Sequence, residues 1–411
     1  MQLLELNDLN LSWYTQQGNR ITEPGAALVE DGGAVYGDHA LTRARLAPRG
    51  FQDQHWQLLN SDSLAVTAPG VQNNADLIYQ HLQKLAGAAN AAGSDIICAV
   101  PGTVSNDQLG LLLGIAAEAG INIRSFVSSA VLYCLNISLP GEAWCIDIQN
   151  RRGILTRLTR DSTTLNSTDI VDLPQLGMNG LIDGWLHQIT DQFVARSRFD
   201  PLRVAETEQQ LFDQVRAWLP MGGALSAAVD HQEHQRAVDL SFEDAANHAR
   251  QRYREAHQKL PSQATVVLTP SASMLPGFAD YLGQEGHSVS RADSGALWSN
   301  AANSAELANP QAVHFITSLA TSTAAVIPPT ANRHATHALA NHTAVPLASI
   351  AQQLATLAGS ADAGYQVTAE SEGVTINEKD RVSAQPLAPG DRLTVSDQSY
   401  TCIRVENGTT A

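Results

Sequence analysis

The chain has 411 residues, enough for two or three hydrophobic cores, so more than one domain is expected. A formal net charge of −16, from 41 Asp and Glu against 25 Lys and Arg, disfavours a nucleic-acid backbone or an anionic membrane as the main partner. No window reaches the roughly 18 consecutive apolar residues of a membrane-spanning helix, and the opening residues lack a basic stretch before an apolar one. The four cysteines, Cys98, Cys134, Cys145 and Cys402, are scattered in apolar contexts without a Cys-x-x-Cys pair, so a cytoplasmic protein with reduced core cysteines is expected.

Residues 1–30 alternate as an antiparallel meander: Leu3-Leu4-Glu5-Leu6, Leu11 to Thr15, a turn at Gln17-Gly18-Asn19, then Ala26 to Val29. Asn74 to Ala92 has the apolar spacing of a helix. A strand follows at Ile96 to Val100, then Pro101-Gly102, a helix Gln108 to Gly120 and an apolar strand from Ile121 toward Ser128-Ser129-Ala130. A second meander is predicted at Ala143 to Ile148, Ile154 to Leu158 and Thr163 to Val171, so one structural unit occurs twice. Amphipathic helices are predicted at Leu181 to Phe193 and Glu206 to Leu219, and a charged helix at Phe242 to Leu260 with Ser241 as its N-cap. A buried strand spans Ala264 to Thr269, a helix ends at Leu282, and Ala312 to Val326 reads as a closing apolar helix before Pro328-Pro329.

The Val100-Pro101 unit, with its helix ending Ala119-Gly120 and the strand ending Ser128-Ser129-Ala130, resembles the ATPase domain shared by heat-shock seventy-kilodalton chaperones, actin and sugar kinases. The likeness covers about residues 1–327 through the order and spacing of its parts. It implies an α/β fold with two actin-like lobes, at 1–140 and 141–329, duplicated and facing a nucleotide cleft. It also places the phosphate and adenosine loops at Glu5-Leu6-Asn7-Asp8-Leu9, Asp147 to Arg152, Leu176-Gly177 and Pro270-Ser271-Ala272-Ser273.

Phosphate loops rely on glycine because backbone N–H groups must approach the oxygens closely, often at positive φ. At the family's glycine positions this chain has Gln149, Asn150, Arg151, Pro270 and Ser271, and Asp8 puts a carboxylate where hydroxyls would stand. A pseudo-ATPase is therefore expected, one that keeps the fold as a scaffold or regulatory partner for another protein, with no cofactor. The alternative is an active enzyme using ATP and magnesium, in which Asp147 is the catalytic candidate and Asp8 and Asp147 are the metal candidates. Glu5, Asp8, Asn150, Arg151, Gly177, Ser271 and Ser273 are the binding candidates in that case, with Arg151 or Arg152 reaching phosphate. Otherwise Glu5 and Asp8 are solvated turn residues and Arg151-Arg152 a hairpin tip. Filament formation of the actin kind is a second alternative.

His231-x-x-His234 with Glu233 is expected to be a solvated loop rather than two ligands on a helical turn. Residues 330–344 look like a linker, and 345–411 like a small β-rich domain with a short helix Pro346 to Leu357 and strands near 365–369, 374–377, 392–395 and 400–405. Its Gly373-Val374-Thr375-Ile376-Asn377 and Leu387-Ala388-Pro389-Gly390-Asp391 resemble the second half of forkhead-associated domains and also small RNA-binding modules. Five basic residues against eight acidic ones from Arg333 onward disfavour RNA, and a protein-docking module is expected.

Overall fold

The first strand, Gln2–Glu5 (β1), is buried along its whole length because its two faces meet different cores. Leu4 points into a core shared with helices, and Leu3 into a core that also contains residues from the second half of the chain. The computed structural model describes residues 2–91, 93–232, 234–308 and 313–321, together with short segments between 337 and 403. The chain divides into a unit Met1–Ser322 and a unit Thr323–Ala411.

In the first unit β1 is followed by Leu11–Tyr14 (β2) and Arg20–Glu23 (β3). An inserted segment comes next: Ala27–Glu30 (β4), Gly33–Tyr36 (β5), Asp38–Leu41 (α1), Phe51–Gln52 (β6), His55–Leu58 (α2), Ser63–Ala68 (β7) and Val71–Asn73 (β8). Asn74–Ala88 (α3), Asp95–Val100 (β9), Asn106–Glu118 (α4), Asn122–Ser128 (β10) and Ser129–Cys134 (α5) complete the first half. Capping boxes start both long helices: the Asn73 side chain accepts from the Asp76 amide, and Ser105 accepts from that of Gln108. Each cap stabilises its helix by about 1 kcal/mol.

The second half repeats the plan with Glu142–Ile148 (β11), Gly153–Arg160 (β12), Thr164–Leu173 (β13), Met178–Ser197 (α6), Ala205–Trp218 (α7), Leu225–His231 (β14) and His234–Leu240 (β15). Then come Phe242–Lys259 (α8), Thr265–Leu268 (β16), Pro270–Ser273 (α9), Phe278–Gln284 (α10), Ser288–Arg291 (β17), Ala296–Asn303 (α11), Ala305–Ala308 (α12), Phe315–Ile316 (β18) and Ser318–Ala320 (β19). Two six-stranded sheets result, ordered β3-β2-β1-β9-β10-β18 and β19-β13-β12-β11-β16-β17. In each, three consecutive antiparallel strands are extended by two parallel ones, β9 and β10 in the first and β16 and β17 in the second. The unit is thus mixed α/β with one strand plan used twice, as the paired meanders imply.

Strand alternation sorts the cores. Ile96, Cys98 and Val100 face α3 and α4, whereas Ile97 and Ala99 join Leu3, Val131, Cys145, Val267 and Leu297 in the layer between the sheets. On β11, Ile146 and Ile148 face the second-half core around Trp185 and Tyr253, and Cys145 faces the shared layer. All four cysteines are buried, as expected.

Several expectations are corrected. The third strand of the opening meander is Arg20–Glu23, closed by the Gly18 turn, whereas Ala27–Val29 is buried and pairs with β5 and β6 in a separate sheet. The edge strand β3 escapes a hydropathy reading because only Ile21 in it is apolar. The closing helix is absent between 313 and 321: β18 pairs with β10 and β19 with β13. Pairing with open sheet edges there outweighs the helix propensity of an Ala-rich run; residues 322–326 lie outside the described segments. His231 and His234 face each other across the β14–β15 hairpin, which is neither a loop nor a helical turn; Glu233 lies outside the description.

In the second unit the described strands His337–Ala340 and Thr343–Pro346 occupy the end of the expected linker, and Gly364–Val367, Val374–Ile376, Arg392–Val395 and Gln398–Ile403 match the expected strands to within a few residues. Of the expected helix Pro346 to Leu357, Leu347 is helical, the end residues Pro346 and Leu357 are in strands, and residues 348–356 lie outside the description.

Candidate functional site

Glu5 and Asp147 hold equivalent places in the duplicated plan. Two residues before Glu5, Leu3 faces the shared layer, and two residues before Asp147, Cys145 does the same, so both carboxylates point toward the space between the sheets. They line one pocket of about 210 Å³ together with Arg20, Tyr133 and Ser271. Neither Glu5 nor Asp8 is a solvated turn residue: they are 4% and 3% exposed.

Asp147 is held by three side-chain donors, one from the turn after β1 and two from the start of α9. The Asn7 amide donates to Oδ1 at 3.2 Å and Oδ2 at 3.0 Å, and the Thr269 and Ser271 hydroxyls each donate to Oδ1 at 2.7 Å. Ser271 Oγ also accepts from the Ile148 amide at 3.0 Å. Burial raises the Asp147 pKa, and the bonds from Ser271, Thr269, the Ile148 backbone and Asn7 oppose that rise. Tyr133 donates to Glu5 Oε1 at 2.5 Å, while Oε2 has no hydrogen-bond partner and meets Arg20 at 4.0 Å. Burial pushes the Glu5 carboxyl up to about 7, the Tyr133 bond works against this, and repulsion from Asp147 adds to it.

Asp8 lies elsewhere, against Leu6, Trp56 and Gln149. Its Oδ1 accepts the Asn150 amide at 2.8 Å, and its backbone carbonyl accepts Asn150 Nδ2 at 2.8 Å and the Gly25 amide at 2.9 Å. The turn continues this closure: Gln149 N–H donates to the Arg152 carbonyl, and the first amides of α6, Met178 and Asn179, donate to the carbonyls of Gln149 and Asn150 at 3.0 and 2.9 Å. A helix start is a ready anion site only while such N–H groups stay free. Gly177 serves this packing too, since a Cβ there would collide with the Arg151 carbonyl group. The sequence reading places Gly177 beside a ligand; the structure places it against the chain itself.

Arg151 is the hairpin tip expected, but its guanidinium pairs with Asp53 through Nε at 3.0 Å and Nη2 at 2.9 Å. Asp53 Oδ2 also accepts Asn179 Nδ2 at 2.5 Å, so the inserted segment of the first half is tied to the loop and helix of the second. Arg152 donates to Gln149, Thr103 and Asp172. Ser273 stands apart, its hydroxyl aimed at the Leu268 carbonyl at 3.5 Å. Among the sequence candidates, then, Glu5, Asp147 and Ser271 meet in one pocket, Asp8, Asn150, Arg151 and Gly177 form the closed loops, and Ser273 joins neither.

Asn7, Tyr133, Thr269 and Asp53 were not evident from the sequence. Asn7 continues the Glu5 alternation, and Thr269 caps α9, its side chain accepting from the Ala272 amide; those two positions carried a readable signal. Tyr133 and Asp53 reach their partners across 128 and 98 residues and carried none. Comparison of the sequence with family models and with curated proteins finds no match.

Proposed function

We propose that the Met1–Ser322 unit is a pseudo-ATPase of the two-lobed actin and heat-shock seventy-kilodalton type, acting as a scaffold or regulatory partner of another protein. One observation carries this reading: the backbone donors that would cradle phosphate are bonded within the chain. The Asn150 amide is held by the Asp8 carboxylate, and the α6 amides of Met178 and Asn179 by the carbonyls of Gln149 and Asn150. A phosphate arriving there would have to break these bonds and face Asp8, and buried donors already satisfied gain little from an exchange of partners. Asp53 adds to this by neutralising Arg151, the cation expected to reach phosphate.

Titration calorimetry with ATP and ADP plus magnesium tests the reading. No heat of binding is expected up to about 1 mM ligand, which limits any affinity to about −4 kcal/mol. Micromolar binding with turnover overturns it.

A further inference from the structure

The closed phosphate loops leave the Glu5–Asp147 pocket unused, and its chemistry is unlike that of an anion site. Asp147 Oδ1 is saturated by Asn7, Thr269 and Ser271, while among the described side chains Oδ2 accepts only from Asn7. Glu5 is nine-tenths buried and lines the pocket, yet among the described residues its Oε2 accepts no hydrogen bond and has only the Arg20 guanidinium at 4.0 Å. An orphaned buried acceptor of this kind is costly, and a site that supplies donors to it recovers the cost. The pocket holds two carboxylates and the single guanidinium of Arg20, so with both carboxylates ionised it carries one negative charge in excess. Arg20 reaches Glu5 Oε2 only at 4.0 Å, its guanidinium being held by a bond to Ser12 Oγ at 2.9 Å and by the Tyr14 ring beneath it.

From these features we infer that the pocket binds a small monovalent organic ammonium ion, its N–H groups donating to Glu5 Oε2 and Asp147 Oδ2. The volume of about 210 Å³ is below the range of drug-sized ligands and suits a guest with a few carbon atoms beyond the amine. Met274, Leu9 and Pro270 supply the apolar wall for that short chain. This assignment goes beyond the scaffold reading and does not depend on it: an ammonium guest needs the two strand-end carboxylates, whereas nucleotide refusal depends on the Asp8–Asn150 closure.

Thermal melting and calorimetry of the full chain with n-butylammonium chloride test the assignment, with 1-butanol, tetramethylammonium and magnesium chloride as comparisons. Butylammonium is expected to raise the melting temperature saturably and to bind, while butanol, which lacks the charge, and tetramethylammonium, which lacks N–H donors, do neither. Asp147→Asn weakens that binding about tenfold or more, as loss of one charge-assisted hydrogen bond requires. Thr22→Trp, at the exposed mouth on β3, blocks it sterically without touching the carboxylates. The assignment fails if butylammonium has no effect, if butanol or tetramethylammonium matches it, if magnesium binds and butylammonium does not, or if the Thr22→Trp protein binds unchanged.

Discussion

Asp8→Asn replaces a buried carboxyl by a neutral group of the same shape. The amide oxygen keeps the Asn150 N–H, and the amide nitrogen takes the place of Oδ2, which has no partner. Burial raises the carboxyl from 3.8 to about 7, opposed mainly by the Asn150 backbone bond. A raised carboxyl pKa means that the folded state binds the proton more tightly than the unfolded chain. The stabilisation is therefore complete at low pH and is lost as pH climbs toward 7. Between pH 5 and 7 the loss runs at about 1.4 kcal/mol per pH unit, roughly 3 kcal/mol in all. Urea denaturation of both proteins at pH 5, 6, 7 and 8 isolates this contribution, because Glu5 and the histidines act equally in each. The stability of the Asp8→Asn protein relative to wild type should increase by about 3 kcal/mol from pH 5 to 8. Parallel pH profiles would refute the burial of an ionisable group at this position.

Gly177→Ala should destabilise by about 2 kcal/mol or more, since its methyl meets the Arg151 backbone, whereas Gly110→Ala on α4, with open space around it, should be neutral or stabilising by up to about 1 kcal/mol; chemical denaturation of the pair checks the contrast. Asp53→Ala removes the partner of Arg151 and Asn179 and should cost about 1–2 kcal/mol, the half-exposed guanidinium keeping the figure modest; a salt-insensitive loss below 0.5 kcal/mol, read by denaturation, would speak against the tie. His55 is buried with neither ring nitrogen bonded among the described residues, and burial followed by repulsion from His81 lowers its pKa well below 6.5. Lowered His basicity makes stability fall as pH drops below 6.5, so His55→Phe should melt closer to its neutral-pH temperature at pH 5 than wild type does.

The elements that were legible are those whose pattern is local. The helices α3, α6, α7 and α8 follow from apolar spacing, α8 also from its Ser241 cap, and the meander β11–β13 from alternation bounded by polar turns. What escaped depends on distant partners. Arg20–Glu23 is a strand because β2 offers it an edge, and Phe315–Ala320 gives two strands because two sheets end nearby; neither fact is written in the residues themselves. The site divides in the same way. Asp147 stood out as an acid ending an apolar strand, and Glu5 and Ser271 were found through the resemblance, but the meaning of Asp8 was reversed. A carboxylate in a turn reads as solvated until the Asn150 amide, 142 residues away, closes on it. That the loops around Asp8, Asn150 and Gly177 bond to one another could be learned only from their juxtaposition.

The central claim is that the amides of Asn150, Met178 and Asn179 are already bonded within the chain, and amide hydrogen exchange reads it directly. With no nucleotide present these three amides should exchange slowly, and millimolar ATP with magnesium should leave their rates unchanged. Rapid exchange that becomes slow on adding the nucleotide would show donors that are free and waiting for phosphate, and would contradict the account.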